Sequence, residues 1–514
     1  MRTSILFVLL VLTAALAALA VPALADDIDP DTLRVAEMWE IDGLDPAKEG
    51  TFAKEKALIA ETLVDAAPDF SLMPRLAESW TMDGPTEWTF TLRPGVVFHN
   101  GEALTAALAA RSLERAMALN PAVGELTKIQ SVEAVDDLTL RITTTELYPV
   151  LPAALVYADT AIVHPDSPAN DQGIVMAPIG TGPYRLAEWR QARQEVALKR
   201  NDAYWGEKPG IANVLYRSIP DPATRSLEIR KGSVDFIADA PYGDLDMLRG
   251  KGLDVTIAST ARVYQVNFGS LAGTAFADKR VREALSRGIN REDIVQYILF
   301  GMGKPAAGAY EDTMVFANAG LKPHAYEPER AKALLDEAGW TDHDGDGVRD
   351  RDGEPLAFTL FTYPQRPGLK PMAMAMQQMW ADIGVKADVR ILDWSAIEEA
   401  MAPGDIRLAA FATAMIPDPD YFLRRTYATD GGNNTWGYSN PELDALLDAG
   451  MAETDPAKRL DIYKRAQAIA YDDLPLIHVS YYGVNVVTKP EVEGFVFNPV
   501  AHDYMLNTGM HIQP

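Results

Sequence analysis

The chain has 514 residues, room for about three lobes at roughly 150 residues each. Hydrophobic residues make up 48% and charged residues 23%, which excludes a mostly disordered chain. A balance of 47 Lys+Arg against 73 Asp+Glu leaves a net charge of −26, so nucleic acid is excluded as a partner; the lack of Cys removes disulfides, thiolate metal sites and Cys nucleophiles.

Residues 1–25 read as a secretory leader. Met1-Arg2 gives a positive start, Ile5 to Leu19 is uncharged, and Pro22 leads into Ala23-Leu24-Ala25 before Asp26-Asp27. Cleavage after Ala25 is expected; a retained membrane anchor is the alternative. Glu87 to Leu92 alternates apolar and polar residues ahead of Arg93-Pro94-Gly95, the pattern of a half-buried strand and a turn. Leu138, Leu140 and Ile142 repeat that period. Asp221-Pro222 caps a short helix ending near Gly232, and Val234 to Ile237 follows as a strand. Val281, Ala284, Leu285 and Ile289 have helical spacing, and Asn290 caps a helix predicted over Arg291 to Phe300. Pro328 opens a helix with the stripe Ala331, Leu334, Leu335 and Ala338, stopped by Gly339; Asp455-Pro456 opens another to about Asp472. Strands and helices alternate without segregating, which indicates an α/β or mixed α+β fold with interleaved domains.

The search for catalytic chemistry finds little. None of the seven histidines sits in an H-E-x-x-H helix, and there is no G-x-S-x-G elbow or Walker A loop. A glycoside hydrolase needs only two carboxylates, so a periplasmic hydrolase stays as a rival class. Asp342, Asp344, Asp346 and Asp350, with Gly347, follow EF-hand spacing, but Gly353 stands where the closing Glu belongs. That loop reads as an acidic turn or a structural calcium site; no other cofactor is expected. Met372, Met376 and Met379 share a helical face, and core packing is the expected role.

Ala177-Pro178-Ile179-Gly180-Thr181-Gly182-Pro183-Tyr184 resembles the signature of the family 5 extracellular solute-binding proteins, the peptide- and nickel-binding components of ABC importers. Further matches follow in family order. They include Pro74 to Trp80, Trp88 to Gly101, Arg200 to Gly206, Ile219 to Arg225, Val281 to Leu285, Ala331 to Trp340, Asp418-Pro419-Asp420 and Tyr438 to Asp444. The resemblance implies a two-lobed clamp with an extra subdomain on the first lobe and hinge strands between lobes. It implies lobe one at about 26–262 and 484–514 and lobe two at 263–483, with crossings near Val263 to Asn267 and His478 to Asn485. A periplasmic monomer would bind a small peptide or peptide-like solute, close by hinge rotation and deliver it to an ABC permease and its ATPase subunits.

By the same resemblance, Glu37, Met38, Trp39, Tyr264, Asn267, Thr413, Met415, Asp418, Tyr421 and Trp436 are the expected ligand-contacting residues. Peptide-binding members place an Asp shortly before the D-P-D stretch to pair with the peptide amine, but here Met415 stands there. Asp418 or Glu37 could supply that carboxylate instead. Nickel-chelate members use an Arg and a His; Tyr157 to Ala161 has no Arg, and no His lies between Phe422 and Tyr438. Peptide is therefore the first expectation and a nickel or other metal chelate the second.

Overall fold

Two long strands, Asp254–Phe268 and Ile477–Thr488, organise the molecule. The computed structural model describes residues 31–364, 366–500 and 506–513, and the leader read at 1–25 lies outside them. Among the described residues no helix is long and apolar enough to cross a membrane.

The two strands pair antiparallel at the middle of an 11-stranded sheet. One end of the pair continues through Phe236–Ala238, Thr32–Glu37, Asn213–Ser218, Glu195–Arg200 and Tyr184–Arg190. The other end continues through Ile406–Ala412, Ala357–Thr362 and Lys386–Ile391. These are the two lobes. Only Arg262 to Phe268 of the first long strand pairs with Ile406–Ala412, and only Val486 to Thr488 of the second pairs with Phe236–Ala238. The register between the long strands slips between Ser259 and Val263, where the chain passes from one lobe to the other. Such a bulge bends a strand locally and suits a hinge. Thr413 ties lobe two to it: its N–H and hydroxyl both donate to the Ala261 carbonyl, at 2.8 and 3.3 Å. Asn485 does the same for lobe one, exchanging two hydrogen bonds with Ala240 at 2.9 and 3.0 Å. All residues of Ile477–Thr488 except His478 are buried, as a central strand covered on both faces requires.

The extra subdomain is a four-stranded antiparallel sheet of Ala77–Met82, Glu87–Leu92, Thr139–Thr144 and Ile129–Ala134 in that spatial order. Glu87–Leu92 alternates as its sequence predicts, burying Trp88, Phe90 and Leu92. Helix Ala106–Leu119 covers the sheet through Ala106, Ala109, Ala110 and Leu113.

Capping residues set most helix starts. Asp221 accepts the Thr224 N–H at 2.7 Å, and Gly232, at φ +78°, ends helix Pro222–Lys231. Asp455 likewise opens the 18-residue helix Pro456–Asp473. Helix Leu369–Ala381 buries Met372 and Met376 as its pattern predicts, with Met379 half-buried against the same core and Trp380 fully buried beside it.

Two expectations are corrected. Arg291 to Phe300 is not one α-helix: three α-helical residues lead into a π-helical turn, Ile294–Ile298. The buried residues there, Ile294 and Leu299, are five apart; an α-helix would separate them by roughly 140°, whereas the wider π turn brings them to one side. The strand expected at Val234 to Ile237 occupies Phe236–Ala238 instead. Asp235, just before it, gives its N–H to the Arg34 carbonyl at 2.8 Å and takes the Lys489 N–H at 3.0 Å, while its carboxylate accepts the Arg34 N–H at 2.9 Å and pairs with the Arg34 and Lys489 side chains.

Candidate ligand cleft

In lobe two, Ala357–Thr362 runs parallel to both Lys386–Ile391 and Ile406–Ala412, so three carboxyl ends open on one side. In lobe one, Thr32–Glu37 runs parallel to Asn213–Ser218 and Phe236–Ala238. Crevices outside such ends are where open α/β sheets bind ligands, because the chain there leaves the ladder and presents side chains from several strands. Tyr363 and Arg366 follow the first of these lobe-two strands, Trp394 the second, and Met415 and Tyr421 the third. Trp39 follows the lobe-one strand.

These residues enclose a chamber of about 520 Å³ together with Phe411, Phe422, Arg425, Asn433, Ala410 and Ala412. Six of its walls are aromatic, two are arginine, and none of its described lining residues is Asp, Glu or His. A second chamber of about 460 Å³ shares Met415, Tyr421 and Arg425 with the first and reaches the subdomain at Glu125, Lys128, Glu146, Tyr148 and Tyr157. Its charges balance: Glu125, Glu146 and Asp420 against Lys128, Arg424 and Arg425. Burial, reinforced by Asp418 and Asp420 nearby, holds the Tyr148 phenol above its usual range, so it stays a neutral donor, here to the Leu126 carbonyl at 2.8 Å.

Helix Pro419–Tyr427 carries much of the wall. Asp418 caps it by accepting the Asp420 N–H at 2.8 Å, and its carboxylate is gripped by Arg459 at 2.5 and 2.9 Å. Asp420 accepts the Tyr463 hydroxyl at 2.6 Å and pairs with Arg424. The helix therefore turns Tyr421 and Arg425 to the cleft while Leu423 and Tyr427 face a separate cavity of about 130 Å³ beside His478.

Of the residues expected to contact ligand, Trp39, Met415 and Tyr421 line the chambers. Met38 packs against the lobe-one core. Glu37 is buried in an ion pair with Lys56 at 2.7 Å, and its other accepted bond fixes the Trp39 N–H at 3.0 Å. Tyr264 packs edge-on to Tyr482, Asn267 accepts from Gln265 at 3.1 Å, and Thr413, Asp418 and Trp436 are buried as described or in the core. Tyr363, Arg366, Trp394, Phe411 and Arg425 were missed in the sequence. The signal available was position: Phe411 stands at the carboxyl end of a strand, and the others just beyond a strand or on the cleft face of a capped helix.

The calcium-like loop places one oxygen each of Asp342, Asp344 and Asp346 within 4.8 Å of one another. Asp350 instead pairs with His343 at 2.9 Å, and the other carboxylates accept N–H groups of their own loop, Gly345 and Gly347 on Asp342 and Val348 on Asp346. None of these residues lines either chamber.

The signature segments meet elsewhere, on Glu61. This buried carboxylate accepts from Thr181 at 2.8 Å, Tyr204 at 2.8 Å and Trp205 at 3.0 Å, and pairs with Arg75 at 2.8 Å. Gly180 and Gly182 cross the same backbone so closely that a Cβ would lie 2.0 Å from the Ile59 carbonyl oxygen at one and 2.1 Å from the Leu58 oxygen at the other. Glycine is there for close approach.

With this geometry in place, comparisons with known proteins agree. The model of the bacterial extracellular solute-binding proteins, family 5 Middle, matches residues 71–434. The chain is 30% identical over 469 residues to the nickel-binding periplasmic protein of Escherichia coli strain K12, covering 87% of this chain and 88% of that one. It is 29% identical over 429 residues to the glutathione-binding protein GsiB of Salmonella typhimurium, 80% of each chain. Among solved structures, NikA from Brucella suis in complex with Fe(III)-EDTA matches with a TM-score of 0.83 at 26% identity, covering 93% of this chain and 98% of that one.

Proposed function

This chain belongs to the family 5 bacterial extracellular solute-binding proteins, and we propose that it captures a small peptide or peptide-like solute between its lobes and delivers it to an ABC importer. The observation that carries this reading is the aromatic chamber whose walls come from both lobes of a sheet joined by two strands. Residues 26–262 and 484–514 would move as one lobe and 263–483 as the other, turning about the slip between Ser259 and Val263. Export with removal of residues 1–25 would place the monomer in the periplasm, where the closed form docks on the permease with its ATPase subunits. The ligand leaves chemically unchanged, so no catalysis is assigned.

A metal chelate is the second reading, favoured by the nickel-binding relative. With no His among the described lining residues of either chamber, a metal would have to arrive already chelated and be held through its chelator.

Thermal-shift screening of the mature protein tests the reading, since a ligand bound only by the native state raises apparent stability. Mass spectrometry of the denatured protein identifies ligands carried through purification. Stabilisation by peptides supports the first reading and by nickel chelates alone the second; turnover of a glycoside would overturn both.

A further inference from the structure

We infer that the first chamber selects an anionic ligand carrying a flat ring, gripped between Trp39 of lobe one and Trp394 of lobe two. The inference rests on the proposed binding function and names the ligand's chemical class.

The two tryptophans are among the more exposed large side chains of the molecule, at 46% and 37%, and both open into this one chamber. Each is held from behind. The Trp39 backbone is pinned to Glu37, itself fixed by the buried pair with Lys56. Trp394 has the Arg407 guanidinium 4.2 Å from its ring centre, Tyr363 and Phe411 edge-on at 5.6 and 6.1 Å, and its indole N–H on Glu398 at 2.8 Å. Among the described residues no ring stacks on Trp39. The Trp394 ring, so packed and still open to solvent, loses little conformational freedom when it meets a ligand, and the fixed backbone of Trp39 sets where its ring can reach. Because the residues sit on opposite lobes, a ring between them would also favour the closed form.

Charge supplies the second criterion. In a chain of net charge −26 the described chamber lining has two arginines and no carboxylate. Arg425 lies 5.4 Å from the Tyr421 ring and makes no ion pair among the described residues; Arg366 lies 5.4 Å from the Tyr482 ring. A carboxylate entering here finds in Arg425 a planar two-pronged donor backed by an aromatic face, whereas a cation finds like charge and no carboxylate to pair with.

Calorimetry on the ligand-stripped, refolded full mature chain tests this with three capped dipeptides: N-acetyl-Phe-Glu, N-acetyl-Ala-Glu and N-acetyl-Phe-Lys amide. N-acetyl-Phe-Glu should bind about fivefold tighter than N-acetyl-Ala-Glu, the stacking contribution, and Trp39→Ala or Trp394→Ala should erase that difference. Arg425→Gln should weaken N-acetyl-Phe-Glu about tenfold while leaving the melting temperature unchanged, and N-acetyl-Phe-Lys amide should bind more weakly than either acid. Equal binding of the lysine amide, or indifference of N-acetyl-Phe-Glu to all three variants, overturns the inference. Failure of all three dipeptides while free-amine peptides or nickel chelates bind overturns it and leaves the importer reading standing. Failure of every peptide and chelate overturns both.

Discussion

Two polar constellations in this protein look alike in the sequence and behave as opposites in the structure. Around Glu61, three other segments of the chain bring Thr181, the Tyr204-Trp205 pair and Arg75 to one buried carboxylate, so both of its oxygens are bonded by protein groups. In the first chamber, segments equally far apart bring aromatic rings and arginines together and leave a void of about 520 Å³ between them. The lesson is that the wording by which the family is read reports the first constellation. The signature glycines and the D-P-D stretch hold the scaffold, while the rings and arginines that line the first chamber carry no motif.

The sharpest test of that contrast is removal of the knot's centre. Glu61→Ala strands Arg75 and three other donors, and should destabilise the protein by about 3–5 kcal/mol in urea unfolding, with the ligand affinity of the folded fraction unchanged. A change below about 1 kcal/mol would break the comparison. Gly180→Ala, which forces a Cβ against the Ile59 carbonyl, should cost about 1–3 kcal/mol by the same measurement.

Acidity should loosen the scaffold as well. Burial pushes His99 and His324 down to about 4 and His478 down to about 3, so all three are neutral in the folded protein. A folded value below the unfolded one means the contribution is whole above about 6.5 and is lost as pH falls from there through 4 to 3. Asp159 works against this: burial raises it to about 7, and protonation below that pH relieves its cost. Asp420 and Glu49, also raised by burial, act with Asp159, while Asp235, lowered despite burial by its arginine partner, and Asp278, lowered by its own, act with the three histidines. The histidines carry the trend, so the urea midpoint should fall from about pH 6.5 to about 4. His99 also ties the trend to the Glu61 region, since its ring meets the Gly182 carbonyl at 3.0 Å and its N–H donates to Gly180.

The smallest expected effect is at the ligand's amino end. Asp418 is held by Arg459, Glu37 is buried beside Lys56 and lines neither chamber, and Met415 offers no charge. Acetylating a peptide ligand should therefore change its Kd less than about threefold in calorimetry, well under 1 kcal/mol. Met415→Asp should reverse that by tightening free-amine peptides alone. A penalty of 2–5 kcal/mol on acetylation in the unaltered protein would show that a carboxylate does reach the cleft.

Local order was legible in the residues. Caps at Asp221, Asn290 and Asp455, the alternation in Glu87–Leu92 and the methionine stripe of Leu369–Ala381 each act within a few residues, and the pattern of burial follows them directly. The π turn at Ile294–Ile298 escaped that reading because its buried residues are set by what packs against them, at a spacing no α-helix serves. The cleft escaped more completely. Trp39, Tyr363, Trp394 and Tyr421 meet because strands hundreds of residues apart pair in one sheet with their carboxyl ends aligned. Periodicity records which face of an element leaves water; which faces are then left looking at each other across a gap is decided only by long-range strand pairing. The sequence by itself determined most of the elements, the acidic balance and the family, because caps and periodicity act locally. Tertiary structure decided that Glu61 is bonded on both oxygens, that Asp418 is occupied and that two tryptophans stand open in one chamber, because each depends on segments brought together by long-range pairing.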